Sequence, residues 1–212
     1  MRYMYMSDNQ SLMTAGVFHY FNNLKTNGGE VMSSDSFIRF GVDGTYNEEL
    51  VNSLYDEDIV ILGFVPNEAI ISSLLSKSNR INHYIVLREP RPAYSSSIIS
   101  HPGYKSNVYY CTDMNRCNCL HLWKMLFPRE RHPNILELVN NQFICNNSST
   151  DLPLNEKAIY AYIGSLDSSS PLPFSSLISE DINNTLQYDN IIDIGNSILS
   201  YVNQIETRGV LQ

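Results

Sequence analysis

The chain has 212 residues, 43% of them hydrophobic and 17% charged, so it can bury a core without disulfide staples and has neither a disordered nor a membrane-embedded composition. Its formal net charge is −8, and scattered Lys and Arg argue against the basic stripe that a duplex-DNA-binding surface needs. No apolar run approaches the roughly 20 residues of a spanning helix, and "MRYMYM" leads straight into Asp8 and Asn9 without the regions of a signal peptide, which points to a cytoplasmic protein away from membranes.

"MRYMYMS" alternates and breaks at Asp8, which predicts a strand, a polar turn "DNQS" and a helix from Leu12 to Lys25 with Met13, Val17, Phe18 and Phe21 inward. "SFIRFGV" reads as a second strand, "NEELVNSLYD" as a short helix, and "DIVILGFV" as a third strand apolar enough to be buried on both faces. "NEAIISSLLSKS" has helical spacing and "HYIVL" is a fourth strand. "NVYYCT" is a further strand, and "NCLHLWKMLFP" and "HPNILELVNNQFI" are helices, the second with Pro133 in its first turn. The polar loop "CNNSSTDLP", a helix around "EKAIYAYIGSL", the Ser/Pro-rich connection "DSSSPLPFSS" and a last helix "NIIDIGNSILSYVNQIE" complete the chain, with no internal repeat and no coiled-coil heptads.

Alternating strands and helices with short connections predict an α/β fold, a doubly wound and mostly parallel sheet with helices on both faces. The organisation is an α/β domain over 1–145 and a helical extension of the same domain over 146–212. Ligands of such sheets sit outside the carboxyl ends of the strands, so the loops "SDNQS", "GFVPN" and "LREPRP" converge on one crevice. Asp8 precedes an apolar-periodic stretch, the position of a helix cap. Arg88, Arg91 and Tyr94 lie close together in "REPRPAY", a combination that can hold phosphate and stack a base, and Arg88 with Glu89 also reads as a plain ion pair. The five histidines share no spacing, and His19 reads as a packing residue. Cys111, Cys117, Cys119 and Cys145 read as free thiols of a reducing compartment, since "CNCLH" offers a cramped C-x-C and His121 rather than a zinc spacing.

With the strands placed, the chain resembles the DHH phosphoesterases, in particular their oligoribonuclease-like branch. That family opens with a strand and Asp-x-Asp-Gly-x-x-Ala-Ala, where this chain has "DNQSLMTA": Asp8 keeps the first aspartate, and Gln10 and Ser11 replace the second aspartate and the glycine. The family's next strand ends in aspartate where Gly63 stands here, and its Asp-His-His becomes Leu87, Arg88 and Glu89. A later Asp-x-Asp before an aromatic is matched only by Asn141 and Phe143 in "LVNNQFIC". The scaffold survives better: "NRCNCLHLWKMLFP" with Trp123 and Phe127 is similar to the family's tryptophan-bearing helix, "HPNILELV" to the next, and "IIDIGNSILSYV" to the connector before its substrate-binding domain.

The resemblance implies a scaffold whose two-metal site has been rewritten, because Mn²⁺ or Mg²⁺ pairs need four or five carboxylate and imidazole ligands and Asp8 alone cannot supply them. The first expectation is therefore no catalytic residue, no resident metal or other cofactor, and action by binding a protein partner or a phosphate-containing ligand through Asp8, Arg88, Glu89, Arg91 and Tyr94. A second reading is a divergent metal-dependent phosphodiesterase acting on nucleotides or short oligonucleotides through Asp8 and Glu89 with Asp113 or His101. A third is a structural or assembly subunit, viral in keeping with the Asn-, Ser- and Ile-rich composition, in which self-association covers the crevice.

Overall fold

The computed structural model describes residues 1–25, 36–87, 92, 94–110, 116–148 and 151–209. Five strands, β1 (Arg2–Met6), β2 (Phe37–Phe40), β3 (Asp58–Leu62), β4 (Arg80–Leu87) and β5 (Tyr104–Tyr110), form one parallel sheet in the order β2-β1-β3-β4-β5. The helices among the described residues are α1 (Asn9–Lys25), α2 (Glu48–Asn52), α3 (Glu68–Leu75), α4 (Ser96–Ile99), α5 (Asn118–Leu126), α6 (Asn134–Ser148), α7 (Leu154–Ser165), α8 (Leu172–Ile182) and α9 (Tyr188–Gly209). This is the doubly wound α/β arrangement that the alternation predicts.

The order explains which helix covers which face. The connection from β1 steps one way along the sheet to β2, and every later crossover steps the other way, so right-handed crossovers put α1 on one face and α2, α3 and α4 on the other. Two core clusters follow. Met4, Ile38, Ile59, Ile61 and Ile81 face the side of α2 to α4, whereas Tyr3, Tyr5, Phe37, Val60 and Leu62 face α1 and α5. β3 thus has both faces packed, and its four apolar residues, Ile59 to Leu62, are at most 2% exposed.

Three elements, β4, β5 and α8, depart from the sequence expectation. β4 begins at Arg80 and β5 at Tyr104, each three residues earlier than their apolar cores suggest. α8 begins within the stretch read as a Ser/Pro-rich connection and runs past it: Pro171 and Pro173 sit where a helix start accepts proline, and Phe174, Leu177 and Ile178 recur at helical spacing and are buried. Its packing on α1 is close, for a Cβ on Gly16 would lie 2.8 Å from that of Phe174. The Asp181 carboxylate then ties three elements, accepting the Ile135 N–H of α6 at 2.9 Å and the Tyr188 hydroxyl of α9 at 2.9 Å. No helix among the described residues is long and apolar enough to cross a membrane.

Candidate functional site

The strand order reverses between β1 and β3, and in doubly wound sheets the crevice opens outside the carboxyl ends of the strands flanking that reversal. Asp8 follows β1 and Gly63 follows β3, so both belong to this crevice. Asp8 is the cap that its position predicts: one carboxylate oxygen accepts the N–H groups of Gln10 and Ser11, each at 3.0 Å, satisfying two of the donors that a helix start leaves open. Gly63 stands directly against this turn. A Cβ there would lie 3.4 Å from the Ser11 Cα and 3.3 Å from the Thr14 hydroxyl, and its φ of +77° is one that a side-chain-bearing residue rarely adopts.

Asn118, the first residue of α5, closes the crevice from the side. Its amide donates to the Gly63 carbonyl at 3.1 Å, and its oxygen accepts the Val86 N–H of β4 at 2.9 Å. The space left between Thr14, Val86, Asn118, Leu122 and Met125 is only about 10 Å³, room for one water at most. Beneath the loop after β3, the buried His83 ring lies 2.7 Å from the Phe64 carbonyl through Nε2 and 3.1 Å from the Tyr104 hydroxyl through Nδ1. Burial holds its pKa down, from the usual 6.5 to about 4, with the Phe64 hydrogen bond opposing.

The C-terminal helices cover the β1 end of the crevice. The Tyr5 hydroxyl, whose pKa burial pushes up to about 12, donates to the Ser169 carbonyl at 2.7 Å. The Tyr160 hydroxyl of α7 is also raised, first by burial and then by the charges of Asp8 and Cys119, while a hydrogen bond with Asn9 lowers it. Asn9, Asp8 and Tyr160 therefore form one polar cluster at the start of α1. Behind it the Cys117 and Cys119 sulfurs lie 3.2 Å apart and buried, and the Cys117 N–H donates to the Asn140 side chain at 2.8 Å. Burial raises the Cys119 thiol, whereas its hydrogen bond to Cys117 lowers the latter.

The crevice thus joins Asp8, Gln10 and Gly63, with Leu87 at the end of β4. Asn141 is engaged elsewhere, its amide donating to Glu156 of α7 at 3.3 Å. The expectation that Tyr94 offers a face to a base is corrected: the ring is 3% exposed and packs against His83 and Tyr104, with centroids 5.7 and 5.8 Å away. His101 is corrected too. It precedes β5, accepts the Gly103 N–H at 3.1 Å, and so lies at the amino edge of the sheet, opposite Asp8. Arg88, Glu89, Arg91, Cys111 and Asp113 lie outside the described residues.

Tested against the two-metal centre that the resemblance implies, the described residues do not fit. The Asp8 carboxylate caps a helix, Gly63 has a left-handed backbone and close neighbours that strain any side chain placed there, and no group of three His, Cys, Asp or Glu among the described residues could hold an ion. What the crevice offers instead is hydrogen bonding from Asn9, Asn118 and Tyr160. Asn118, Tyr160 and His83 escape sequence reasoning because their roles arise from contacts between distant elements. The only local signal is an Asn opening a helix at Asn118. No family model, no curated protein and no solved structure matches this chain.

Proposed function

We propose that the chain is a degenerate relative of the DHH phosphoesterases, of the oligoribonuclease-like branch, that acts by binding a protein partner rather than by hydrolysis. The observation that carries this reading is the use to which two ligand positions are put. Asp8 serves the N–H groups of Gln10 and Ser11, and Gly63 supplies a left-handed turn tied to Asn118. Asn118 ties the loop after β3 to β4, and the space between α1, β4 and α5 is only about 10 Å³, which leaves no room there for a substrate and supports a surface role. Free thiols at Cys117, Cys119 and Cys145 suit a reducing compartment, the cytoplasm, as its place of work.

Turnover of short oligoribonucleotides and of bis-p-nitrophenyl phosphate with Mn²⁺ tests the reading, and none is expected above the buffer rate. Metal-dependent turnover abolished by Asp8→Asn would overturn it and favour the divergent phosphodiesterase. Calorimetry with inorganic phosphate and a dinucleotide separates the partner classes. Saturable binding lost in Arg88→Ala with Arg91→Ala would replace the protein partner by a phosphate-containing ligand.

A further inference from the structure

α9 runs antiparallel to α7 and outlasts it. A Cβ on Gly195 would overlap the Ala158 carbonyl, and Leu154, the first residue of α7, borders a shallow groove with Leu199 and Asn203. α7 therefore starts where α9 has about two turns left, and residues 200–207 are all exposed.

α9 carries an apolar stripe that continues onto this overhang. Ile191, Ile194, Ile198, Tyr201 and Ile205 recur at alternating steps of three and four residues, which keeps them on one side of the helix. The root of the stripe is packed, with Ile191 only 4% exposed, but Ile194 is 41%, Tyr201 66% and Ile205 52% exposed, with Val202 beside them at 42%. Two heptads fall short of the three or four that mark a coiled coil in sequence, and only the overhang gives the stripe meaning.

We propose that this stripe is the surface through which two copies of the chain associate, helix against helix. Charge selects a second copy. From Ile194 to Ile205 there is no charged residue in a chain whose net charge is −8, so two copies that repel over most of their surface can meet here without opposing like charges. The nearest charges, Asp193 and Glu206, project about a quarter-turn or more away from the stripe at the angular spacing of an α-helix.

Geometry selects it as well. About a twofold axis between Ile198 and Tyr201, an antiparallel pair sets Ile194 opposite its counterpart's Ile205 and Ile198 opposite its Tyr201, as a self-complementary interface requires. The exposed parts of these side chains amount to roughly 400 Å² per copy, about half of what each partner buries in a standard interface, so the pair belongs to the weak, reversible class. A membrane surface would call for Lys and Arg along the polar flank, where α9 has Asn196, Ser200, Asn203, Gln204 and Thr207. The inference is independent of the hydrolysis question.

Sedimentation equilibrium of the full chain over roughly 1–300 µM tests it, the range in which a weak interface saturates. The expected result is a rise from monomer to dimer mass, with association at least about tenfold weaker, or 1.4 kcal/mol, in Tyr201→Asp and in Ile205→Asp. Both side chains are exposed, at 66% and 52%, so far-ultraviolet circular dichroism and the thermal midpoint of the core should not change, and Ile205→Ser repeats the test without adding charge. A monomer at every concentration overturns the proposal, as does a dimer that these variants leave intact. A monomer that co-sediments with phosphatidylserine-containing vesicles also overturns it, since a membrane surface would then be the occupant.

Discussion

The side chain of Asn118 holds the ends of two neighbouring strands at once, donating to the Gly63 carbonyl at 3.1 Å just past β3 and accepting the Val86 N–H of β4 at 2.9 Å. A single amide thereby fixes the side of the crevice that a ligand would otherwise enter. Asn118→Ala leaves a partly buried carbonyl and an N–H without these partners and should lower the unfolding free energy by about 1–3 kcal/mol in urea titration. Asn118→Asp keeps the acceptor but sets a carboxylate against the Gly63 carbonyl. Its deficit relative to wild type should be largest at pH 7 and shrink towards pH 4, where the protonated acid can donate again. A deficit that does not narrow would show that the Gly63 contact contributes nothing.

Gly63 makes a sharper test of the proposed relation to the phosphoesterases, because the resemblance places an aspartate there. With φ at +77° and the Thr14 hydroxyl 3.3 Å from a built Cβ, Gly63→Ala should cost about 1–3 kcal/mol in backbone strain alone. Gly63→Asp should cost at least as much, and calorimetry should show no gain of stoichiometric Mn²⁺ binding over the wild type. A Gly63→Asp protein that is stable and binds the ion would mean that the backbone can yield and that the position can serve a metal.

Much of this scaffold is legible in the sequence because its signals are local. The Ile-Val-Ile-Leu run of β3 announces burial on both faces, and Asp8 before a periodic apolar stretch announces a cap, which the structure bears out in two hydrogen bonds. His19, expected as a packing residue, is buried with Nδ1 2.9 Å from the Ser175 hydroxyl. α8 is hidden by its composition, since Pro171 and Pro173 read as breakers until they are seen to stand at a helix start. Tyr94 misleads for the opposite reason: its neighbours Arg88 and Arg91 suggest a ligand loop, and only the tertiary fold shows the ring against His83 and Tyr104. The polar cluster at the start of α1 brings Tyr160 to Asp8 and Asn9 across most of the chain, which no spacing rule can do.

His83 sets a pH dependence whose sign can be worked out. Its short contact with the Phe64 carbonyl makes Nε2 the protonated nitrogen of a neutral ring, leaving Nδ1 to accept from Tyr104. The unfolded chain takes up a proton near 6.5 and the folded chain only near 4, so between those values the unfolded state holds more protons and stability falls as pH falls. The stabilisation is complete above pH 6.5, and about 2 kcal/mol of it should be lost between pH 7 and pH 5 by this group alone. His19, lowered by its own burial, adds in the same direction. Urea unfolding at the two pH values should show the loss in the wild type and a clearly smaller one in His83→Phe, which is less stable at pH 7 but has no ring to protonate there. Equal pH slopes in the two proteins would remove His83 from the account.

The contact between Gly195 and Ala158 sets two opposing effects against each other. On an exposed helix, replacing Gly by Ala stabilises by about 1 kcal/mol, because Ala loses less backbone entropy. Here the added Cβ would overlap the Ala158 carbonyl, and a backbone atom inside α7 cannot rotate aside as a side chain could. α9 must then move off α7, loosening the apolar contacts that Ile159, Ile163, Ile191 and Ile192 make in the shared core. Overpacking of this kind costs about 1–3 kcal/mol, so it outweighs the propensity gain and Gly195→Ala should be net destabilising. The loss should be local. Amide hydrogen exchange should quicken in α7 and α9 while the amides of β1 and β3 keep their protection, because the sheet is covered on this face by α1 and α5 as well. Uniform quickening would mean that the C-terminal helices and the sheet unfold as one unit, and a stabilised variant would mean that the two helices do not approach each other this closely.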